Sequence, residues 1–121
     1  MRYINFFCLF LLILSCADKS NEELSGLWKA KSVVRNDQPL NVNLSEITLE
    51  FDGEERYEYK STLNYKEAGF YKFHKDRLET QDTLLKSSAP KVVIVESLIL
   101  DTLRIKMKSE SDWMYLTLER D

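Results

Sequence analysis

Apolar and polar residues alternate with a period of two through nearly all of residues 27–120, and the 3.6-residue period of an amphipathic helix persists nowhere in that span. A chain patterned in this way offers one apolar face per segment and has to build sheets. Residues 27–35 place Trp28, Ala30, Ser32 and Val34 on one face and Lys29, Lys31 and Arg35 on the other. Residues 36–46 are polar, carry Pro39, and read as a long loop. Ile47, Leu49 and Phe51 then alternate with Thr48, Glu50 and Asp52, and Asp52-Gly53 is a hairpin-turn signal. Its partner at 56–63 directs Tyr57, Tyr59, Ser61 and Leu63 inward. A strand at 68–74 has Gly69, Tyr71 and Phe73 on one face, ends at His74, and turns at Lys75-Asp76 into a strand at 77–84. After a second loop at 85–90, residues 91–99 are β-branched and apolar on both faces, the pattern of a strand covered on both sides. Residues 102–108 set Leu103, Ile105 and Met107 against Arg104, Lys106 and Lys108, and residues 113–120 point Met114, Leu116 and Leu118 inward.

Eight short strands, mostly at hairpin spacing and with no helix long enough for a parallel crossover, make an antiparallel meander. With one apolar face per strand, the sheet must close on itself or fold into a sandwich, and closure removes the unpaired edges. The expectation is an all-β chain forming an eight-stranded antiparallel up-and-down barrel, with a β-sandwich as the alternative.

Before this region the patterning changes. Arg2 is followed by an unbroken apolar run from Phe6 to Leu14 and then by the small residue Ser15, the order of a secretory signal. The run is well short of the roughly 20 residues that a bilayer-spanning helix needs. Ile13-Leu14-Ser15-Cys16 resembles the lipobox of bacterial lipoproteins. The common box has Leu in place of Ile13 and Ala or Ser in place of Leu14, while Ser15 and Cys16 match. The resemblance implies cleavage before Cys16, acylation of that cysteine, and anchorage in a membrane by several acyl chains, each buried methylene contributing roughly 0.8 kcal/mol. Ala17, where an Asp would retain the protein at the inner membrane, implies release to the outer membrane of a double-membrane envelope, in either leaflet. Residues 1–15 thus read as a signal peptide, 16–25 as lipidated cysteine and tether with a short helical turn at 21–24, and 26–121 as one domain.

With Cys8 in the signal and Cys16 acylated, the exported domain has no free cysteine, which excludes disulfides and thiolate metal sites. Net charge is −3, and −4 once Arg2 leaves with the signal. A general nucleic-acid or anionic-membrane binder would be basic, so both classes are set aside.

Leu24-Ser25-Gly26-Leu27-Trp28, at the start of the first of eight strands, resembles the Gly-x-Trp motif that opens lipocalin and calycin barrels. In that family the tryptophan packs across the closed end of the barrel against an arginine late in the last strand, which implies a closure role here for Gly26, Trp28 and Arg120. A guanidinium over an indole contributes roughly 0.5–2 kcal/mol. Glu67-Ala68-Gly69-Phe70-Tyr71 is similar to the Gly-x-Tyr strand start of small lipocalin-like domains in bacterial, including Bacteroidetes, lipoproteins. The chain is shorter than a typical lipocalin and lacks the helix that follows the barrel.

Residues that carry chemistry are sparse. His74 is the only histidine and has no nucleophile placed beside it. Glu54 and Glu55 sit on a hairpin turn, where a carboxyl is not buried enough to act as a general acid, and with Asp52 they match no calcium loop. No nucleophile elbow, phosphate loop or dinucleotide fingerprint occurs, so the expectation is no enzymatic activity, no cofactor and no metal. The row Arg104, Lys106 and Lys108 is either a solvated outer face or a contact for an anionic partner. Tyr57, Tyr59, Tyr71 and Phe73 point inward from adjacent strands and serve either as core or, with Met107, as the wall of a ligand pocket with polar handles. Asp82-Thr83-Leu84 and Asp101-Thr102-Leu103 match the Asp-Thr-aliphatic acceptor pattern of envelope O-glycosylation in some Bacteroidetes. The leading functional expectation is a lipid-anchored barrel binding a small apolar or amphipathic ligand near the 36–46 loop. The rival is a filled barrel whose loops, 36–46 and 85–90, contact an envelope protein.

Overall fold

The structure, a computed structural model, describes residues 21–85, 89–109 and 111–121. The signal, Cys16 and part of the second loop lie outside the described residues. An N-terminal 3-10 turn, Asn21–Leu24, leads into β1 (Gly26–Arg35), β2 (Gln38–Pro39), a second 3-10 turn (Leu44–Glu46), β3 (Thr48–Phe51) and β4 (Arg56–Lys60). Then come β5 (Lys66–His74), β6 (Arg77–Asp82), β7 (Lys91–Ile99), β8 (Thr102–Ser109) and β9 (Asp112–Arg120). From β3 to β9 each strand pairs antiparallel with the next, and β1 pairs with both β3 and β9. The result is a closed eight-stranded antiparallel barrel plus one short strand, β2, so the barrel expectation holds and the sandwich does not.

Strict alternation survives wherever the ladder is regular. Leu49, Phe51, Tyr57, Tyr71, Phe73, Leu103, Ile105, Leu116 and Leu118 are all buried as the period requires. It breaks where the backbone inserts a residue. In β1 the register against β9 slips between Ala30 and Ser32, a bulge, and beyond it Val33 is the buried residue. The expected inward Ser32 and Val34 are therefore corrected to Val33. A second bulge in β7, between Val95 and Ser97, brings Leu98 opposite Leu103.

Three other readings change. Residues 36–46 are not all loop: Asn36 and Asp37, with φ of 50° and 61°, form a tight turn that pairs Arg35 with Gln38 and Val34 with Pro39. The wall of a barrel has only one inside, so β7 is not covered on both faces, and Val92 and Ile99 are exposed. Strand β4 stops at Lys60, and the expected inward Leu63 lies instead on the turn to β5, 95% exposed at a φ of 60°. Asn64 follows it at 58°, and the Tyr65 amide donates to the Thr62 carbonyl across this turn. A left-handed conformation suits Asn far better than Leu. Leu63→Asn is expected to raise stability by about 0.5–1 kcal/mol, read as a shift of the urea midpoint at constant slope.

The core is concentrated toward one end. Leu24, Trp28, Phe51, Leu78, Leu103, Ile105 and Leu118 are the largest fully buried side chains. The 3-10 turn Asn21–Leu24, with Leu24 buried, packs into this plug just ahead of β1. Strand polarity puts this turn, the β3–β4, β5–β6 and β7–β8 connections and Arg120 at the closed end. The 36–47 segment and the β4–β5, β6–β7 and β8–β9 connections surround the opposite, open end.

Candidate functional site

At the closed end, every Trp28 group is accounted for. The indole is fully buried, its Nε1 donates to the Leu24 carbonyl at 2.8 Å, and the Arg120 guanidinium lies 4.4 Å from the ring centroid. Arg120 Nη1 also donates to the carbonyls of Ser25 (2.7 Å) and Glu23 (3.0 Å), and Nε to Asp101 Oδ1 at 3.1 Å. Gly26 has a φ of 119°, and a Cβ there would stand 2.9 Å from Arg120 Cδ, so only glycine lets the arginine cross. Gly26, Trp28 and Arg120 are thus brought together as one clasp across the bottom of the barrel.

Tyr71 and Phe73 are also part of this end. The Tyr71 hydroxyl donates to the Asn21 carbonyl at 3.3 Å, its ring meets Phe51 edge-on at 4.7 Å, and the Phe73 amide donates to Asn21 Oδ1 at 2.8 Å. Neither lines the cavity described next.

That cavity, about 160 Å³, lies at the open end. Leu49, Leu78, Ile105 and Leu116 form its base, and Val93 and Met107 its apolar sides. Tyr57, Tyr59 and Tyr65 supply aromatic wall, with the Tyr59 and Tyr65 rings 6.1 Å apart at 65°. Glu67, Thr80 and Lys91 complete it. An adjoining crevice of about 180 Å³ under Leu40 and Val42 shares Tyr59 and Leu116 with this cavity and is lined by Met114. Of the expected ligand residues, the structure brings Tyr57, Tyr59 and Met107 together and leaves Tyr71 and Phe73 in the plug.

The polar centre of the cavity is a carboxylate. Glu67 is buried, accepts the Tyr57 hydroxyl at 3.0 Å on Oε1, and receives the Lys91 ammonium on the same oxygen at 3.3 Å. A carboxylate in an apolar wall is tolerated only with such partners. Burial, and then the Glu67 charge, push the Tyr57 phenol well above its ordinary pKa of 10.0. Burial works against the Lys91 ammonium, but the Glu67 carboxylate more than offsets it, so the Lys91 pKa is raised. Tyr71, at the other end, is pushed up to about 12 by burial and then by Asp52.

These phenols imply an alkaline transition. Both hold their protons in the folded chain at a pH where an unfolded tyrosine ionises. The stability this contributes is complete below pH 10 and is lost progressively above it, for Tyr71 as pH rises to about 12 and for Tyr57 at still higher pH. A titration of phenolate absorbance alongside circular dichroism is expected to show the last tyrosines ionising together with loss of the fold. Independent, early ionisation of all six would contradict the burial.

Glu67, Thr80, Lys91 and Tyr65 were not singled out from sequence. The signal was there: Tyr65 and Glu67 share parity with Gly69 and Tyr71, Thr80 with Leu78, and Lys91 with Val93 and Val95. Other candidates fall outside the cavity. His74 is exposed on the outer wall beside Lys72, Arg77 and Glu79. The Asp52 carboxylate accepts the amides of Glu54, Glu55 and Arg56, and hydrogen bonds from Arg56 and then Glu54 hold its pKa below the usual value. Lys106 and Arg104 pack outside on Trp113 and Tyr115, with Lys108 also facing Trp113. Thr83 and Thr102 are both exposed. Among the described residues, no three His, Cys, Asp or Glu side chains are grouped to hold a metal, and no helix is long and apolar enough to cross a membrane.

The eight-stranded closed topology is compatible with a lipocalin-like fold. No protein-family model matches the chain, and no curated protein or solved structure matches it significantly.

Proposed function

We propose that this chain is an envelope lipoprotein, anchored through lipid on Cys16 at the outer membrane, whose lipocalin-like barrel holds a small apolar or amphipathic molecule at its open end. One observation carries the ligand reading: a barrel sealed and packed at one end keeps an apolar cavity of about 160 Å³ at the other, with a hydrogen-bonded carboxylate in its wall. Among the described residues Glu67 and Asp82 are the buried carboxylates; Asp82 accepts the backbone amides of Ala68 and Leu84, whereas Glu67 lines the cavity. Size restricts the occupant. Apolar cavities of roughly 150 Å³ take a molecule the size of benzene, and drug-sized ligands need about 300–1,000 Å³. The ligand is therefore small, or only one end of it enters. The lipid anchor rests on residues 6–16 and their resemblance to a lipobox.

Native mass spectrometry of the full chain, purified gently from its membrane and followed by solvent extraction, tests the ligand reading. A reproducible small adduct that disappears on Met107→Trp, which fills the cavity, is the expected result. An adduct that persists in that variant places the ligand elsewhere. A bare mass, together with no protection by any small apolar probe, removes the reading.

A second reading, a contact surface for an envelope protein, is favoured by the rim. Leu63, Leu84 and Leu85 are exposed around the open end, and Leu63 keeps an unfavourable left-handed backbone there. Crosslinking from residue 63 in intact cells, compared with residue 72 on the outer wall, tests it. A defined adduct at 63 alone supports the partner, and equal, diffuse labelling removes it.

A further inference from the structure

We propose, resting on the ligand-binding reading, that the open-end cavity selects a small molecule bearing an ammonium head on a compact apolar body, and that the Lys91 ammonium marks where this head sits. The two members of the central ion pair are not equivalent. The Glu67 side chain is 8% exposed and fixed in the wall by Tyr57, whereas the Lys91 side chain is 56% exposed and reaches in from the first residue of β7. The carboxylate belongs to the cavity; the cation is a visitor on a flexible stem.

Exchange of one ammonium for another therefore has a low cost. A ligand cation that takes the place of Lys91 at Glu67 keeps the buried carboxylate compensated, and Lys91 swings into water, where it is well solvated. An anionic head has no such route. It must either approach Glu67 or draw Lys91 away from it, leaving a buried charge without its partner. A hydroxyl head leaves the Glu67–Lys91 pair in place and gains a hydrogen bond to one of its ionised groups, but it brings no charge of its own to compensate the carboxylate.

The aromatic wall favours the same choice. Tyr59 and Tyr65 present two rings at 65° to each other on the path into the cavity, and a cation near such faces is attracted by their quadrupoles. Below them Leu49, Leu78, Ile105 and Met107 accept only an apolar body, and the volume holds it to about one aromatic ring or a short alkyl chain. The class is a primary arylalkylamine or short alkylamine.

The chain offers its own reporters for a test. Its three methionines are Met1, Met107 in this cavity and Met114 in the adjoining crevice. The full chain, labelled with methyl-13C methionine and reconstituted in lipid nanodiscs, is titrated with phenethylamine, phenethyl alcohol and 3-phenylpropionate at neutral pH, with empty nanodiscs correcting for partition. Phenethylamine is expected to move the Met107 signal most, with a Kd at least about tenfold below that of the alcohol and with the propionate weakest. Glu67→Gln, which keeps an acceptor for Tyr57, is expected to erase the advantage of the amine. Lys91→Met, which removes the internal competitor without touching the carboxylate, is expected to tighten the amine several-fold. Equal binding of amine and alcohol, or preference for the propionate, overturns the ammonium class while leaving the ligand pocket standing. If none of the three probes moves Met107, in the wild type or in Lys91→Met, the pocket reading falls and this proposal falls with it.

Discussion

Trp28→Ala is expected to lower the unfolding free energy by about 3–5 kcal/mol, the range for removing a large aromatic from a packed core. The site offers little chance of collapse. The indole is fully buried, and it is spanned by Arg120, which is itself tied to the Glu23 and Ser25 carbonyls. The Leu24 carbonyl also loses the indole donor that now satisfies it at 2.8 Å. A domain with an ordinary stability of about 5–15 kcal/mol would surrender about a fifth or more of it. Urea unfolding of Trp28→Ala beside Trp28→Phe separates the contributions: phenylalanine keeps most of the apolar volume and loses the indole donor. The phenylalanine variant should retain more than half of what alanine loses. If the two are equally damaging, the hydrogen bond and not the packing governs the closed end.

Gly69→Ala should be as severe for the opposite reason. Gly69 lies inward on β5, opposite Tyr57 on β4 and Asp82 on β6. A Cβ there would collide with the Gln81 carbonyl oxygen and stand 2.9 Å from Gln81 C and 3.0 Å from the Thr83 amide nitrogen. All three atoms are backbone, so no rotamer change relieves the overlap. The strands must part, which strains the Thr83 amide bond to the Ala68 carbonyl at 2.8 Å. Overpacking a core commonly costs about 1–3 kcal/mol, and this case should lie at or above the top of that range. Because Glu67 is two residues away on the same face, the variant should also lose probe binding at Met107 before it unfolds globally. A cost below about 1 kcal/mol would show that β6 yields freely.

The residues that made the barrel legible are those whose ladder is regular. Ile47, Leu49 and Phe51, or Leu103 and Ile105, alternate without interruption, and a period of two is enough to place them. Legibility failed where one residue was inserted. Nothing in Ala-Lys-Ser announces a bulge, because the extra residue is set by how β1 and β9 meet across the seam, a fact of the closed sheet and not of either strand. Leu63 failed for a related reason: its alternation continues the strand, while the turn that receives it is fixed by where Lys66 must begin pairing with Lys60. Clasp and cavity differ in the same way. Gly26 and Trp28 lie in one short motif, so the closed end was readable with Arg120. Glu67 and Lys91 are far apart in sequence and charged, and hydrophobic patterning passes over a charge on the inner face even when its parity is right.

The seam between β1 and β9 has a kinetic meaning. Trp28 pairs with Arg120, and Lys29 Nζ donates to Asp121 Oδ2 across a separation of 92 residues. Consecutive hairpins from β3 to β9 are local and can zip up early, but the ring has no means of shutting until the final strand is available to the first. Closure of so long a loop is the slow, entropy-limited step of such a topology. A chain synthesised N-terminus first thus presents β1, with Trp28 uncovered, long before its mate emerges. Until residues up to Arg120 have been made, the growing polypeptide is an unlatched sheet, kept pliable by the order of its own strands.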